Sequence, residues 1–149
     1  MQLTRHTDYS LRVLMYLGVN PGRMVTIAEI SEAYDISRNH LMKVVHELGG
    51  LGFVETFRGK QGGIQLARAL EAVNVGDVVR QMEENLDIVN CNEPVCPIES
   101  VCILREALDE ARDAFLAVLD EYTLADLIDR RKRKLRMLLG AASAPSVIR

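Results

Sequence analysis

The chain's only three cysteines, Cys91, Cys96 and Cys102, fall within twelve residues in a C-x4-C-x5-C array. Three thiols cannot all pair within one chain, so any disulfide scheme leaves one over. The residues between them, Asn-Glu-Pro-Val and Pro-Ile-Glu-Ser-Val, have the composition of an ordered loop, where several ligands can converge without breaking helix or strand hydrogen bonds. Buried thiols at that density would make a poor core, so a metal site accounts for the array most economically. Structural zinc usually shows closer C-x2-4-C pairs, whereas separations of four and five residues suit a cluster of several irons better. An iron–sulfur cluster is therefore expected ahead of zinc. The N-terminus of a helix starting near Val101 adds positive potential close to Cys102, which helps to hold thiolates.

A second set of residues has the chemistry of nucleic-acid recognition. Ser37, Arg38, Asn39, His40 and Lys43 fall on the outward side of one short helical pattern. In a major groove, Arg and Lys read guanine edges and Asn reads adenine. Arg58, Gly59, Lys60, Gln61 and Gly62 form a basic, glycine-rich tip, and Gly lets the backbone approach phosphates or the minor groove closely. A protein-interaction module with a solvated basic face is the rival reading, and basic residues at both positions favour DNA. His46 is expected to pack or to be solvated. No nucleophile, base and orienting group occur together, and Glu83-Glu84 reads as a solvated face, so no enzyme is expected.

The elements that must position these groups are legible as punctuation and period. A first helix opens around Thr7-Asp8-Tyr9-Ser10, carries Leu11, Leu14, Met15 and Leu17, and ends at Gly18 and Asn20-Pro21-Gly22. Thr26-Ile-Ala-Glu29 is a capping-box signature for a second helix, and Ser37 caps a third with Leu41, Val44, Val45 and Leu48 inward. Two short helices so joined make a helix-turn-helix. Alternation over residues 53–57 and 64–67 around the Arg58–Gly63 turn predicts a hairpin, and together these give a winged helix. Another helix begins at Val75 and runs to about Glu84. From about Val101 to Tyr122, Leu104, Leu108, Ala111, Phe115, Val118 and Tyr122 recur at steps of four and three, a seam that wants a partner helix. Thr123-Leu-Ala-Asp126 caps a last short helix lined by Arg130 to Arg136. That basic run is most simply the helix's polar side, with weak phosphate contact as the minority option.

The expected fold is thus mainly α: a winged helix-turn-helix at 1–84 with its wing at 53–67, a cluster-binding loop at 85–102, a dimerisation helix and C-terminal helix at 101–139, and a mobile tail at 140–149. At 149 residues, 48% of them apolar, the chain is about one domain with a sizeable core. No apolar run is long enough to span a membrane and the N-terminus lacks a signal-peptide pattern, so a cytoplasmic protein without a membrane partner is expected. The net charge of −3 hides an uneven distribution: residues 1–70 carry 8 basic and 6 acidic residues, 71–129 carry 3 and 15, and 130–149 carry 7 and none. The head that bears the helix-turn-helix is basic and the middle acidic.

Met1-Gln-Leu-Thr4, Thr7-Asp-Tyr9, Leu11-Arg12, Ser37-Arg-Asn-His40, Arg58-Gly-Lys60, Gly62-Gly63 and the three-cysteine loop together resemble the NsrR group of iron–sulfur winged-helix regulators, related to IscR. The resemblance covers nearly the whole chain to Asp129. It implies a homodimeric repressor that binds a two-fold double-stranded DNA operator, carries one cluster (2Fe-2S or 4Fe-4S) per subunit, senses nitric oxide and controls nitrosative-stress and nitric-oxide detoxification genes. IscR-like members place a histidine shortly after the third cysteine; here Ile103-Leu104-Arg105 stands there, and no histidine follows His46. In the NsrR group the resemblance implies an aspartate ligand near the N-terminus from the partner subunit, and the matching position is Asp8. Arg12, one helical turn on, is placed to orient that carboxylate. An oxygen ligand binds iron more weakly than thiolate, leaving one exchangeable corner for a diatomic gas. The commoner fate of such an aspartate is to cap or line a first turn, and His6 is the runner-up ligand. The alternatives are an iron–sulfur or redox regulator of another signal, such as cluster status or oxygen, and a zinc-stabilised interaction module.

Overall fold

The computed structural model describes residues 1–140, so the expected mobile tail lies, from residue 141, outside the described residues. Seven α-helices and one two-stranded sheet follow in the order α1 (Arg5–Val19), α2 (Ile27–Tyr34), α3 (Arg38–Gly50), β1 (Val54–Phe57), β2 (Gly63–Leu66), α4 (Val75–Met82), α5 (Ile103–Asp120), α6 (Leu124–Asp129) and α7 (Lys132–Leu138). The architecture is a mainly helical winged helix-turn-helix.

α1 starts earlier than its Thr7-Asp8 punctuation suggests, because Thr4 is the cap: its Oγ1 accepts the Thr7 N–H at 3.3 Å. The Thr4 N–H and hydroxyl both donate to Glu83 Oε1, at 2.7 and 3.1 Å, so the end of α4 anchors the start of α1. Thr7 is then fully buried, and Val13, Leu14, Leu17 and Val19 continue its inward face. α2 opens on the expected capping box, Thr26 with Glu29. The turn to α3 passes through Asp35 in the left-handed region (φ 54°), and Ser37 accepts the His40 N–H at 3.2 Å. Leu41, Val44, Val45 and Leu48 of α3 pack into one core with α1, Ile30 and Phe53.

The wing pairs β1 with β2 antiparallel, Val54 opposite Leu66 and Phe57 opposite Gly63. Its root is tied to the loop before α2 by hydrogen bonds between Val25 and Ile64, at 3.0 and 2.7 Å. A Cβ at Gly62 would lie 2.2 Å from the Phe57 carbonyl oxygen. Glycine is thus required there by the turn itself, independently of any approach to DNA.

α5 differs from the expected helix at both ends. A 3-10 turn at Glu99–Val101 precedes it and Cys102 is extended (φ −84°, ψ 104°), so the helix starts at Ile103. Tyr122 lies beyond its end, drawn off by long-range bonds: the Val75 N–H donates to the Tyr122 carbonyl at 2.9 Å, and Arg80 clamps Asp120 at 2.5 and 2.7 Å. Leu116 is the one buried hydrophobic of α5, while Leu104 and Val118 of the seam are 66% and 55% exposed. The seam therefore has no partner helix within the described chain. The expected single C-terminal helix is two helices, α6 and α7, broken at Arg130-Arg131. The break lets Ile128 pack fully buried against Gly18 of α1, where a Cβ would lie 2.2 Å from Ile128 Cδ1, while Leu135 and Leu139 pack on the same core. No helix among the described residues is long and apolar enough to cross a membrane.

Candidate functional site

The cysteine loop is built from local hydrogen bonds. Asn90 Oδ1 accepts the N–H groups of Asn92 (2.9 Å) and Glu93 (3.2 Å), and the Cys96 N–H donates to the Cys91 carbonyl at 2.9 Å, closing the first interval. The Glu99 N–H reaches the Cys96 carbonyl at 3.2 Å and leads into the 3-10 turn before Cys102. Cys102 is the N-cap residue of α5, and no side chain takes up that helix's first N–H groups. Its thiol therefore stands at the N-terminal, positive end of a helix of 18 residues. All three cysteines are free and half-buried.

An ion pair between Arg105 and Glu99 brackets Cys102 three residues on either side. The Arg105 guanidinium is held above its ordinary value first by its hydrogen bond to the Glu99 carboxylate, with lesser contributions that include the charge of Cys91. One cation thus faces the loop from the first turn of α5. Among the described residues no three His, Cys, Asp or Glu side chains stand together as a group able to hold a metal ion. Within one chain, therefore, the thiols do not gather around a point, and Asp8 is not among them. The donor set still fits an iron–sulfur cluster in kind: free thiols on one short loop, one of them on a helix N-terminus.

Asp8 sits in the first turns of α1, clamped by Arg12 through Nε to Oδ1 at 3.1 Å and through the second guanidinium arm to Oδ2 at 2.8 Å. The Arg12 guanidinium also lies 5.7 Å from the Tyr9 ring centre and 5.8 Å from that of Tyr34. Burial raises the Tyr34 hydroxyl to about 12, so it stays protonated. His6 Nε2 meets Glu47 Oε2 of α3 at 2.6 Å, an engagement that competes with a role as metal ligand.

On the putting-together of the recognition face, Ser37, Arg38, Asn39 and Lys43 are exposed along α3, and Arg58, Gly59, Lys60 and Gln61 at the wing tip, with Gly62 half-buried. Arg38, Lys43, Arg58 and Lys60 make no ion pair with another described residue. His40 is placed differently from its neighbours: it is half-buried, with Tyr9 edge-on at 4.7 Å and His6 stacked at 6.1 Å. The residues missed by sequence reasoning are Tyr9, Tyr34, Glu47 and Glu99, and Glu83, expected on a solvated face with Glu84, is instead half-buried and bonded to Thr4 across 79 residues. Only Glu99 carried a local signal, as an acid six residues before an isolated arginine.

A helix-turn-helix with a wing, a basic exposed reading face and a cysteine loop ahead of a long exposed helix is the architecture of a winged-helix transcriptional regulator. The chain belongs to the Rrf2 family, described as an iron-dependent transcriptional regulator, whose sequence pattern matches residues 3–130. It is 49% identical over 142 residues to the HTH-type transcriptional regulator NsrR of Bacillus subtilis strain 168, covering 93% of this chain and 97% of that protein. Among solved structures it resembles CymR, the global cysteine regulator of B. subtilis, with a TM-score of 0.71 at 27% identity, over 87% of this chain and 98% of CymR. T. potens IscR shares the fold, with a TM-score of 0.73 at 24% identity and 90% of each chain covered.

Proposed function

We propose that this chain is a homodimeric DNA-binding repressor that carries one iron–sulfur cluster per subunit, senses nitric oxide through it, and controls nitrosative-stress and nitric-oxide detoxification genes. The observation that carries the reading is the loop of three free thiols ending on the α5 N-terminus, in a chain 49% identical to NsrR. Cys91, Cys96 and Cys102 would hold the cluster, with Asp8 of the partner subunit as fourth ligand. A bound cluster supplies gas-reactive iron.

The chain's own residues supply the rest. Arg12 orients both oxygens of Asp8, and Arg105 offsets negative charge at the thiolates. α1 carries Asp8 and, through His6 and Tyr9, touches Glu47 and His40 of α3. A force on Asp8 is therefore delivered to the helix that bears Arg38 and Lys43. The seam Leu104, Leu108, Ala111, Phe115 and Val118, exposed at Leu104, Ala111 and Val118 and half-buried at Leu108 and Phe115, is the proposed dimer contact, since a period of this kind is buried by a second helix. DNA is read by Arg38 and Asn39 at base edges and held by Lys43, Arg58 and Lys60 at phosphates, with Ser37, His40, Gln61 and the Gly59 and Gly62 backbone alongside.

The test is metal analysis with subunit complementation, on anaerobically purified protein. Iron, acid-labile sulfide and visible charge-transfer bands are expected; colourless protein with bound zinc contradicts the reading. A heterodimer of one Asp8→Ala subunit and one Cys91→Ala subunit should retain one complete site if Asp8 acts across the dimer, and none if it acts within its own chain.

A further inference from the structure

We propose that the C-terminal basic face, Arg130, Arg133 and Lys134, is a second DNA contact that binds backbone phosphates flanking the bases read by α3. The proposal rests on the reading of this chain as a DNA-binding regulator and extends its footprint. Six of the seven residues from Arg130 to Arg136 are cations: Arg130, Arg131, Lys132, Arg133, Lys134 and Arg136. The Rrf2 family pattern ends at residue 130, so the run lies at and beyond the part of the chain that the family shares.

Three observations make this an anion-binding surface. First, it is uncompensated. Arg80, Arg105 and Arg112, the three cations of the acidic middle, all make ion pairs, whereas none of the six does so with another described residue. The Asp126 carboxyl is held below its ordinary value first by hydrogen bonds from Thr123, with a smaller contribution from the charge of Arg130, and the two form no ion pair. Second, it is clustered. Arg130, Arg131, Lys132, Arg133 and Lys134, with Met137 and the single acid Asp129, line one shallow surface depression. Like charges held so close together repel, a cost that an external anion relieves. Third, it is rigidly held. Leu135 and Leu139 pack against the core, and Arg136 Nε donates to the Val19 carbonyl at 2.9 Å, fastening α7 to the C-terminal end of α1.

Placement selects the partner. The N-terminal half of α1 meets α3 through His6 and Tyr9, and its C-terminal end holds α7. The 15 residues of α1 span about 22 Å at about 1.5 Å each, roughly six base pairs at about 3.4 Å. On this proposal the basic face meets phosphates outside the bases that α3 reads. A membrane surface fits less well, because Leu135 packs on the core and the exposed Met137 and Leu138 are too few to make the broad apolar face of an interfacial helix.

The experiment uses full-length, anaerobically purified protein and an operator selected by it from a random duplex pool. Two duplexes are compared: the minimal selected site, and the same site extended by about one helical turn of DNA on each side. The variant is Arg130→Gln/Arg133→Gln/Lys134→Gln, with Arg136 kept so that α7 stays fastened; an unchanged melting temperature checks this. On the extended duplex the variant should flatten the slope of log affinity against log salt by about five, since three phosphate contacts are lost on each of two subunits and each removes about 0.9. On the minimal duplex the slopes should coincide. Equal slopes on both duplexes overturn the proposal, as does an equal loss on both. Unchanged DNA binding combined with lost sedimentation on phosphatidylglycerol vesicles assigns the face to a membrane and also overturns it. Failure of the wild type to select any operator refutes the DNA-binding reading itself, a separate result.

Discussion

Arg38 and Lys43 offer the sharpest separation between base reading and phosphate holding. Arg38 is the first residue of α3 and Lys43 lies five positions later. At about 1.5 Å and about 100° per residue they are about 7.5 Å apart along the axis and about 140° apart around it, so they face different base steps. Both are exposed and neither makes an ion pair with another described residue, so truncation should leave stability within about 0.5 kcal/mol. All of the effect then falls on binding. Arg38→Ala should cost about 1–3 kcal/mol, roughly 5- to 150-fold, and relax preference at one base position. Lys43→Ala should weaken every sequence alike and reduce the salt slope by about two, one phosphate contact per subunit. Fluorescence anisotropy on operator duplexes, over a salt series and against single-base variants, measures both. Equal, salt-insensitive losses for the two variants would refute the assignment of this face.

Replacing Cys91, Cys96 or Cys102 singly by Ala should abolish the visible absorption while leaving the far-ultraviolet circular dichroism and the dimer intact, since the core does not include the loop. Retained absorption in all three variants would remove them as ligands. Gly62→Ala brings a Cβ to 2.2 Å from the Phe57 carbonyl oxygen, so the wing turn must shift at a cost of about 1–3 kcal/mol, read as a lower melting temperature and weaker DNA binding. Burial pushes the Glu29 carboxyl up, but hydrogen bonds from Thr26 and Arg23 outweigh it and hold the group below its ordinary value. A lowered folded value means stability present above the unfolded value and lost as pH falls through the folded one. Glu29→Gln should therefore flatten the acid side of the melting-temperature profile and leave its shape at neutral pH unchanged.

Features with local causes were legible in the sequence. The Thr26–Glu29 capping box, the Ser37 cap and the alternation around Arg58–Gly63 each depend on residues three or four apart, and each appears where its pattern lies. The Asp8–Arg12 pair, at i and i+4, was readable in the same way. What escaped depends on distant partners. The start of α1 is displaced to Thr4 by Glu83, 79 residues away, and the end of α5 is set by Arg80, 40 residues from Asp120. The outward spacing of His40 conceals the ring of Tyr9 lying across it. The α6–α7 break follows from Ile128 meeting Gly18, which no periodicity within 124–138 encodes. The cysteine array stood out in the sequence as a candidate ligand set, whereas a fourth ligand from a partner subunit, as proposed for Asp8, is not something one chain's pattern encodes.

The central claim is that nitric oxide acting at the cysteine-held cluster releases DNA. Anaerobic titration of nitric oxide into the complex of cluster-loaded protein with fluorescent operator, followed by anisotropy, tests it most directly. The account predicts release of the operator at nitric-oxide concentrations that bleach the visible absorption, in proportion to the bleaching. Operator that stays bound after the absorption has been fully bleached would contradict it.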